Sequence, residues 1–125
     1  MFRNQLKMRF RTLLAVVPTV LVILAGASFS TPAMAQHKTY VVKMVMTKNV
    51  QFAYEPKTLV VHVGDTVEWD DVDIYQHDAV STDHKTFRSP MLRPKQTWTY
   101  KATKVGTFPY ICTIHPHMKG VLIVK

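Results

Sequence analysis

Tyr110-Ile111-Cys112-Thr113-Ile114-His115-Pro116-His117-Met118 contains the only cysteine of the 125-residue chain. Cys112, His115 and Met118 follow one another at intervals of three, so a thiolate, an imidazole and a thioether share one short loop. A soft thiolate with imidazoles in a trigonal array and a weak, distant thioether is the ligand set of an electron-transfer copper site. One more imidazole is needed, and His77 is the candidate that lies upstream. The expected metal set is therefore His77, Cys112, His115 and Met118, holding one copper ion.

The segments around this loop read as strands. On its near side Gly106 turns the chain into Thr107–Cys112, and on its far side Gly120–Val124 is a continuous apolar run. Thr39–Thr47 is rich in β-branched and apolar residues, with Lys43 its only charge. Asn49–Pro56 puts Phe52 and Tyr54 two apart and so on one face. In Thr58–Val63, Leu59, Val61 and Val63 alternate with Val60 and His62, and Gly64-Asp65 then turns the chain. Thr66–Val72 sets Val67 and Trp69 against Thr66, Glu68 and Asp70, and Gln96–Ala102 sets Trp98 and Tyr100 against Thr97, Thr99 and Lys101. His77–Thr82 reads as a short strand. Asp83–Pro94 reads as a long connection with Phe87, Met91 and Leu92 as inward anchors. Seven or eight short strands at this spacing, with no helical periodicity and no repeat, predict an all-β sandwich. The one acidic cluster, Asp70, Asp71, Asp73 and Asp78, has the plain reading of a solvated loop.

The start of the chain has a different character. Arg3, Lys7, Arg9 and Arg11 precede an apolar run from Leu13 to about Ala27, and Ala33-Met34-Ala35 follows as a small-x-small site. Pro18 and Thr19 interrupt the run, which falls short of the roughly 20 apolar residues of a spanning helix. The expectation is a signal peptide over residues 1–35, cleaved after Ala35, with export to the periplasm and no stable membrane anchor. A single domain of residues 36–125 would remain, long enough to bury a little over 60% of its unfolded surface. Its charge balance is twelve basic residues against eight acidic, since four basic residues of the whole chain's sixteen leave with the leader. That excess points to an acidic partner surface or an anionic membrane. Nucleic acid is excluded as a partner because no basic block is interleaved with aromatics. An unpaired thiol in an oxidising compartment calls for burial, pairing between chains or metal.

Taken together, these residues resemble the cupredoxin, or blue copper, family across nearly all of residues 38–125. Val63-Gly64-Asp65-Thr66-Val67-Glu68-Trp69 resembles the family's glycine turn and tryptophan strand, and Gly106–Cys112 resembles its approach to the copper loop. The short Cys-x-x-His-x-x-Met spacing resembles the amicyanin branch and small plastocyanin-like bacterial members. The resemblance implies a Greek-key β-sandwich and a one-electron carrier that is no enzyme. It also implies redox protein partners, such as a periplasmic dehydrogenase and a c-type cytochrome. His115 would present its ring edge at the surface as the electron port, within an apolar rim that includes Pro116 and Met91. A shuttle of this kind is expected to be monomeric, which keeps its port accessible.

Two positions depart from the family pattern. Asp71 stands near an asparagine that in relatives ties the upstream ligand loop to the residue after the cysteine; an aspartate there would either accept the same hydrogen bond and lower the copper potential, or be exposed and screened. His117 lies between two expected ligands, either as an exposed loop residue or as a transfer ligand in copper loading. His37 becomes the second residue after the expected cleavage, where an amino-terminal x-His pair holds Cu(II) loosely and incidentally, and His62 and His84 read as surface histidines. The competing function is a periplasmic copper carrier or resistance protein without redox cycling. Met44 and Met46 read as core methionines rather than as the Met-rich cluster such a carrier would use. A Cys–His nucleophile pair is disfavoured because it needs an orienting third group and an open substrate site. A copper enzyme would need an open coordination position.

Overall fold

The computed structural model describes residues 35–125. Residues 1–34, which are the expected signal peptide of residues 1–35 apart from Ala35, lie outside them. Among the described residues there are eight strands and no helix: β1 (Thr39–Met46), β2 (Phe52–Glu55), β3 (Thr58–Val61), β4 (Thr66–Asp71), β5 (Val80–Ser81), β6 (Thr97–Lys101), β7 (Gly106–Ile111) and β8 (Lys119–Val124). They form two four-stranded sheets, in the orders β2-β1-β4-β6 and β3-β8-β7-β5. The chain passes repeatedly between the sheets, so β1 pairs parallel to β4 and β3 parallel to β8. This is the expected Greek-key sandwich.

Alternation explains which residues fill it. Val67, Trp69 and Asp71 on β4 are buried while Thr66, Glu68 and Asp70 are half-buried on the outer face. Val42 and Met44 on β1, Tyr54 on β2, Val61 on β3 and Leu122 and Val124 on β8 complete the same interior. Trp69 lies at its centre, with ring centroids 5.1 Å from Phe87, 5.6 Å from Trp98 and 5.6 Å from Tyr110. Tyr110 and Gly120 are register partners in the β7–β8 hairpin, and a Cβ at Gly120 would sit 2.3 Å from the tyrosine ring. The missing side chain therefore lets a buried aromatic lie directly on the neighbouring strand. Gly64 turns β3 into β4 at a φ of 95°, with the His37 ring packed against its α-carbon.

Several expectations are corrected. The strand read over His77–Thr82 contracts to Val80–Ser81, because His77 pairs only with Leu92, and Val80 with Arg88, in isolated bridges. The third strand ends at Val61, and His62 and Val63 are exposed in the turn. Phe87 and Leu92 do anchor the long connection, but Met91 is 36% exposed. Met44 is core as expected, whereas Met46, at the end of β1, is 40% exposed. The acidic cluster is no solvated loop: Asp71, Asp73 and Asp78 are buried, and only Asp70 is half-exposed.

Candidate metal centre

The two edge loops of the sandwich meet at one end. Cys112–Met118 is the loop of the β7–β8 hairpin, starting just after the Ile111–Lys119 pair. It is closed internally by Cys112 N–H donating to the Met118 carbonyl at 3.1 Å and Met118 N–H to the His115 carbonyl at 2.8 Å. These bonds gather Cys112, His115 and Met118 at the loop base and bury Cys112 and Met118. His77 arrives from the other sheet's side of the core, its backbone held in both directions by Leu92: His77 N–H to Leu92 O at 3.1 Å and Leu92 N–H to His77 O at 2.8 Å.

Three donor atoms converge there. Cys112 Sγ lies 3.9 Å from His77 Nδ1 and 3.6 Å from His115 Nδ1, and the two imidazole nitrogens are 3.1 Å apart. Metal–nitrogen and metal–sulfur bonds of about 2.0 and 2.3 Å in a trigonal plane separate their donors by about 3.5–3.8 Å, so the triangle fits a single ion. Among the described residues this is the one group of three such side chains that comes so close. Met118, on the same loop, is 1% exposed and is buried beside Cys112 in the core.

The state of His77 strengthens the fit. Its Nε2 lies 3.0 Å from Asp73 Oδ2, with both side chains buried. A carboxylate accepts from a ring N–H, so Nε2 is committed to Asp73 and Nδ1 is the ring nitrogen left facing the cysteine and available to a metal. Asp73 is itself fixed, its N–H donating to Asp71 Oδ1 at 3.1 Å and its Oδ1 accepting from Ile74 N–H at 2.6 Å. Burial lowers the His115 pKa and the neighbouring His77 adds to this, which favours the neutral form that a metal requires. Burial raises the Cys112 thiol, while the backbone N–H groups of Asp78, Ile114 and His115 pull it back.

The loop-to-loop tie expected of Asp71 belongs to Asp78. Thr113, directly after Cys112, donates its N–H to Asp78 Oδ1 and its hydroxyl to Asp78 Oδ2, each at 2.6 Å. The residue after one donor is thus clamped to the residue after another. Tyr54 donates its hydroxyl to the Asp78 carbonyl and fixes the same residue from the core. Asp71 is fully buried instead, its Oδ2 has no partner, and burial raises its pKa. Asp73, Asp78 and Phe52 are absent from the sequence-based site. The Phe52 ring covers His115 at 4.1 Å and His77 at 5.1 Å, and the only signal for it was an aromatic at the start of an alternating strand.

His115 is half-exposed and opens into a cleft with Val50, Ile114 and Pro116, while Met91 does not line it. His117 also lines the cleft and is exposed, outside the triangle of donors. Val50 is 74% exposed at a φ of 57°, a conformation that β-branched residues rarely adopt.

A family profile described as a cupredoxin-like domain matches residues 18–124. The chain is 34% identical over 116 residues to a plastocyanin from a Synechococcus species, covering 82% of this chain and 83% of that protein. It is 34% identical over 76 residues to the amicyanin of Paracoccus denitrificans, a match that spans 58% of each chain. Among solved structures, a reduced mutant amicyanin superposes with a TM-score of 0.61 at 28% identity, covering 74% of this chain and 87% of that one.

Proposed function

The chain belongs to the cupredoxin-like family, and on that premise we propose that it is a periplasmic blue copper protein carrying single electrons between two redox proteins. The observation that supports this most directly is the triangle of His77 Nδ1, Cys112 Sγ and His115 Nδ1, with edges of 3.1–3.9 Å. In this reading His77, Cys112 and His115 are the strong ligands and Met118 is the weak axial one. Copper, when bound, supplies a one-electron couple whose two states accept nearly the same three-coordinate geometry.

The protein's part is to hold that geometry still. Leu92 and Asp73 fix His77, the Asp78–Thr113 clamp locks the two loops together, and Phe52 covers the histidine faces. Of the four donors only His115 reaches solvent to any extent, so electrons would enter and leave through its ring edge. Three buried donors and a clamped loop also favour a redox carrier over a protein that hands copper on, since delivery needs an open, exchanging site. Among the described residues no helix is long and apolar enough to cross a membrane. Export rests on the leader-like sequence, and the proposed electron donor and acceptor are a periplasmic dehydrogenase and a c-type cytochrome.

The test is a visible spectrum of the domain from Gln36 titrated with Cu(II) and then reduced with ascorbate. An intense thiolate-to-copper band that bleaches and returns on reoxidation is expected. A pale complex without that band would reject the site and move copper delivery ahead. Asp73→Ala is expected to weaken copper binding by about 10- to 100-fold, the usual effect of removing a hydrogen-bond partner of a ligating histidine. Chelator competition measures it, and an unchanged affinity would show that Asp73 does not orient His77.

A further inference from the structure

The burial of the acidic cluster decides what the metal end shows to solvent. All twelve basic residues between Lys38 and Lys125 are exposed, whereas Asp65, Asp71, Asp73 and Asp78 are buried. Four side-chain carboxylates therefore remain at the surface, and none of them lines the cleft of His115. Glu55 and Asp70 both sit in register with Lys43 on the outer face of the first sheet, and Glu68 lies further along that face, between Val41 and Thr99. Asp83 is spent within its own loop, accepting from Ser81, Lys85 N–H and Thr86. That loop follows the Ser81–Tyr110 pair and continues away from Cys112.

Basic residues do occur at the metal end. Lys48 stands in the β1–β2 turn beside Val50, which lines the cleft of His115. Arg93 follows Leu92, the backbone partner of His77, and Lys95 donates its N–H to the Asp71 carbonyl. Lys119 follows Met118. Between these cations lie exposed apolar groups: Val50 at 74%, Ile114 at 51% and Tyr75 at 48%, the last packed on Phe52. An apolar centre with a rim of one charge sign is the arrangement that steers and orients a partner of opposite sign.

We infer that the face formed by Val50, Ile114 and His115, rimmed by Lys48, Arg93 and Lys119, docks redox proteins that carry an acidic surface around their own electron port. The identity of the occupant as a redox protein rests on the proposed function. The sign of its charge rests on the surface alone. A partner with a basic rim would meet the like charges of Lys48, Arg93 and Lys119 with no carboxylate lining the cleft among them, and its encounter rate would rise with salt instead of falling.

The test is carried out on the reduced, copper(I)-loaded protein by amide NMR, with hexacyanochromate(III) as a paramagnetic, redox-inert trianion. Broadening is expected first at Val50, Ile114 and His117, several-fold weaker in 0.5 M salt, and at least ten-fold weaker in a Lys48→Glu, Arg93→Glu double variant. Hexaamminechromium(III), the cationic control, should leave these amides sharp. Broadening confined to the Lys101, Lys104 and Lys125 end, or equal broadening by the cation, would overturn the inference. Sedimentation with phosphatidylglycerol vesicles that is lost in the same double variant would also overturn it, by assigning the face to a membrane. No electron moves in these measurements, so they fail independently of the blue band.

Discussion

Cys112→Ser is expected to abolish the intense visible band and the reversible copper couple outright, while leaving the fold in place. The chain has one cysteine, so no other sulfur can form a thiolate–metal bond. A serine hydroxyl at this position stays protonated near neutral pH and offers a hard oxygen where a soft, anionic sulfur stood. His77, His115 and Met118 would remain, and the variant should bind Cu(II) weakly, with a pale colour. Size is nearly conserved, and the hydroxyl that replaces the fully buried sulfur has the Nδ1 atoms of His77 and His115 nearby, so unfolding of the metal-free variant should stay within about 3 kcal/mol of the parent, the upper cost of burying a hydroxyl. Absorption, voltammetry and denaturant unfolding check the three parts separately. A variant that kept the parent's band or its potential would show that Cys112 does not carry the electron.

What could be read in advance, and what could not, divides along the range of the interactions. β4 and β6 were legible because alternation is local: Val67 and Trp69 against Thr66 and Glu68 need no knowledge of the partner strand. The cysteine loop was legible because its three candidate donors lie within seven residues, and a lone thiol in a chain with a leader-like start calls for a partner. Asp78 was not, since its partner Thr113 is 35 residues away and nothing local distinguishes it from Asp71. The acidic cluster misled for a related reason. Aspartates are mostly exposed, but here hydrogen bonds from Asp73 N–H, Ile74 N–H, His77 and Thr113 meet the carboxylates that the loop buries. Met46 and Met91 failed in the opposite direction. Both are apolar residues at places where the chain leaves regular pairing, and burial there depends on what lies overhead.

Trp69→Ala is expected to remove about 3–5 kcal/mol of stability, the cost of deleting a large aromatic from a close-packed core. A small domain has about 5–15 kcal/mol in total, and one of this length lies towards the low end, so much of the margin would go. The location supports the upper part of the range. Trp69 is fully buried on a central strand between β1 and β6, and Phe87, Trp98 and Tyr110 surround its ring. Aromatic neighbours held by both sheets cannot collapse easily into the space left behind. The indole also has a polar edge. Burial pushes the Tyr110 hydroxyl up to about 12, with the Trp69 N–H opposing that rise. Neither group closes a full hydrogen bond, so their loss adds little to the cost. Guanidinium unfolding followed by far-ultraviolet circular dichroism measures the change, first without copper and then with it. Copper binds the folded state and should restore part of the loss by mass action, because Trp69 stands outside the donor set. A loss below about 1 kcal/mol without copper would mean that the core relaxes around the cavity, against the close packing assigned to it.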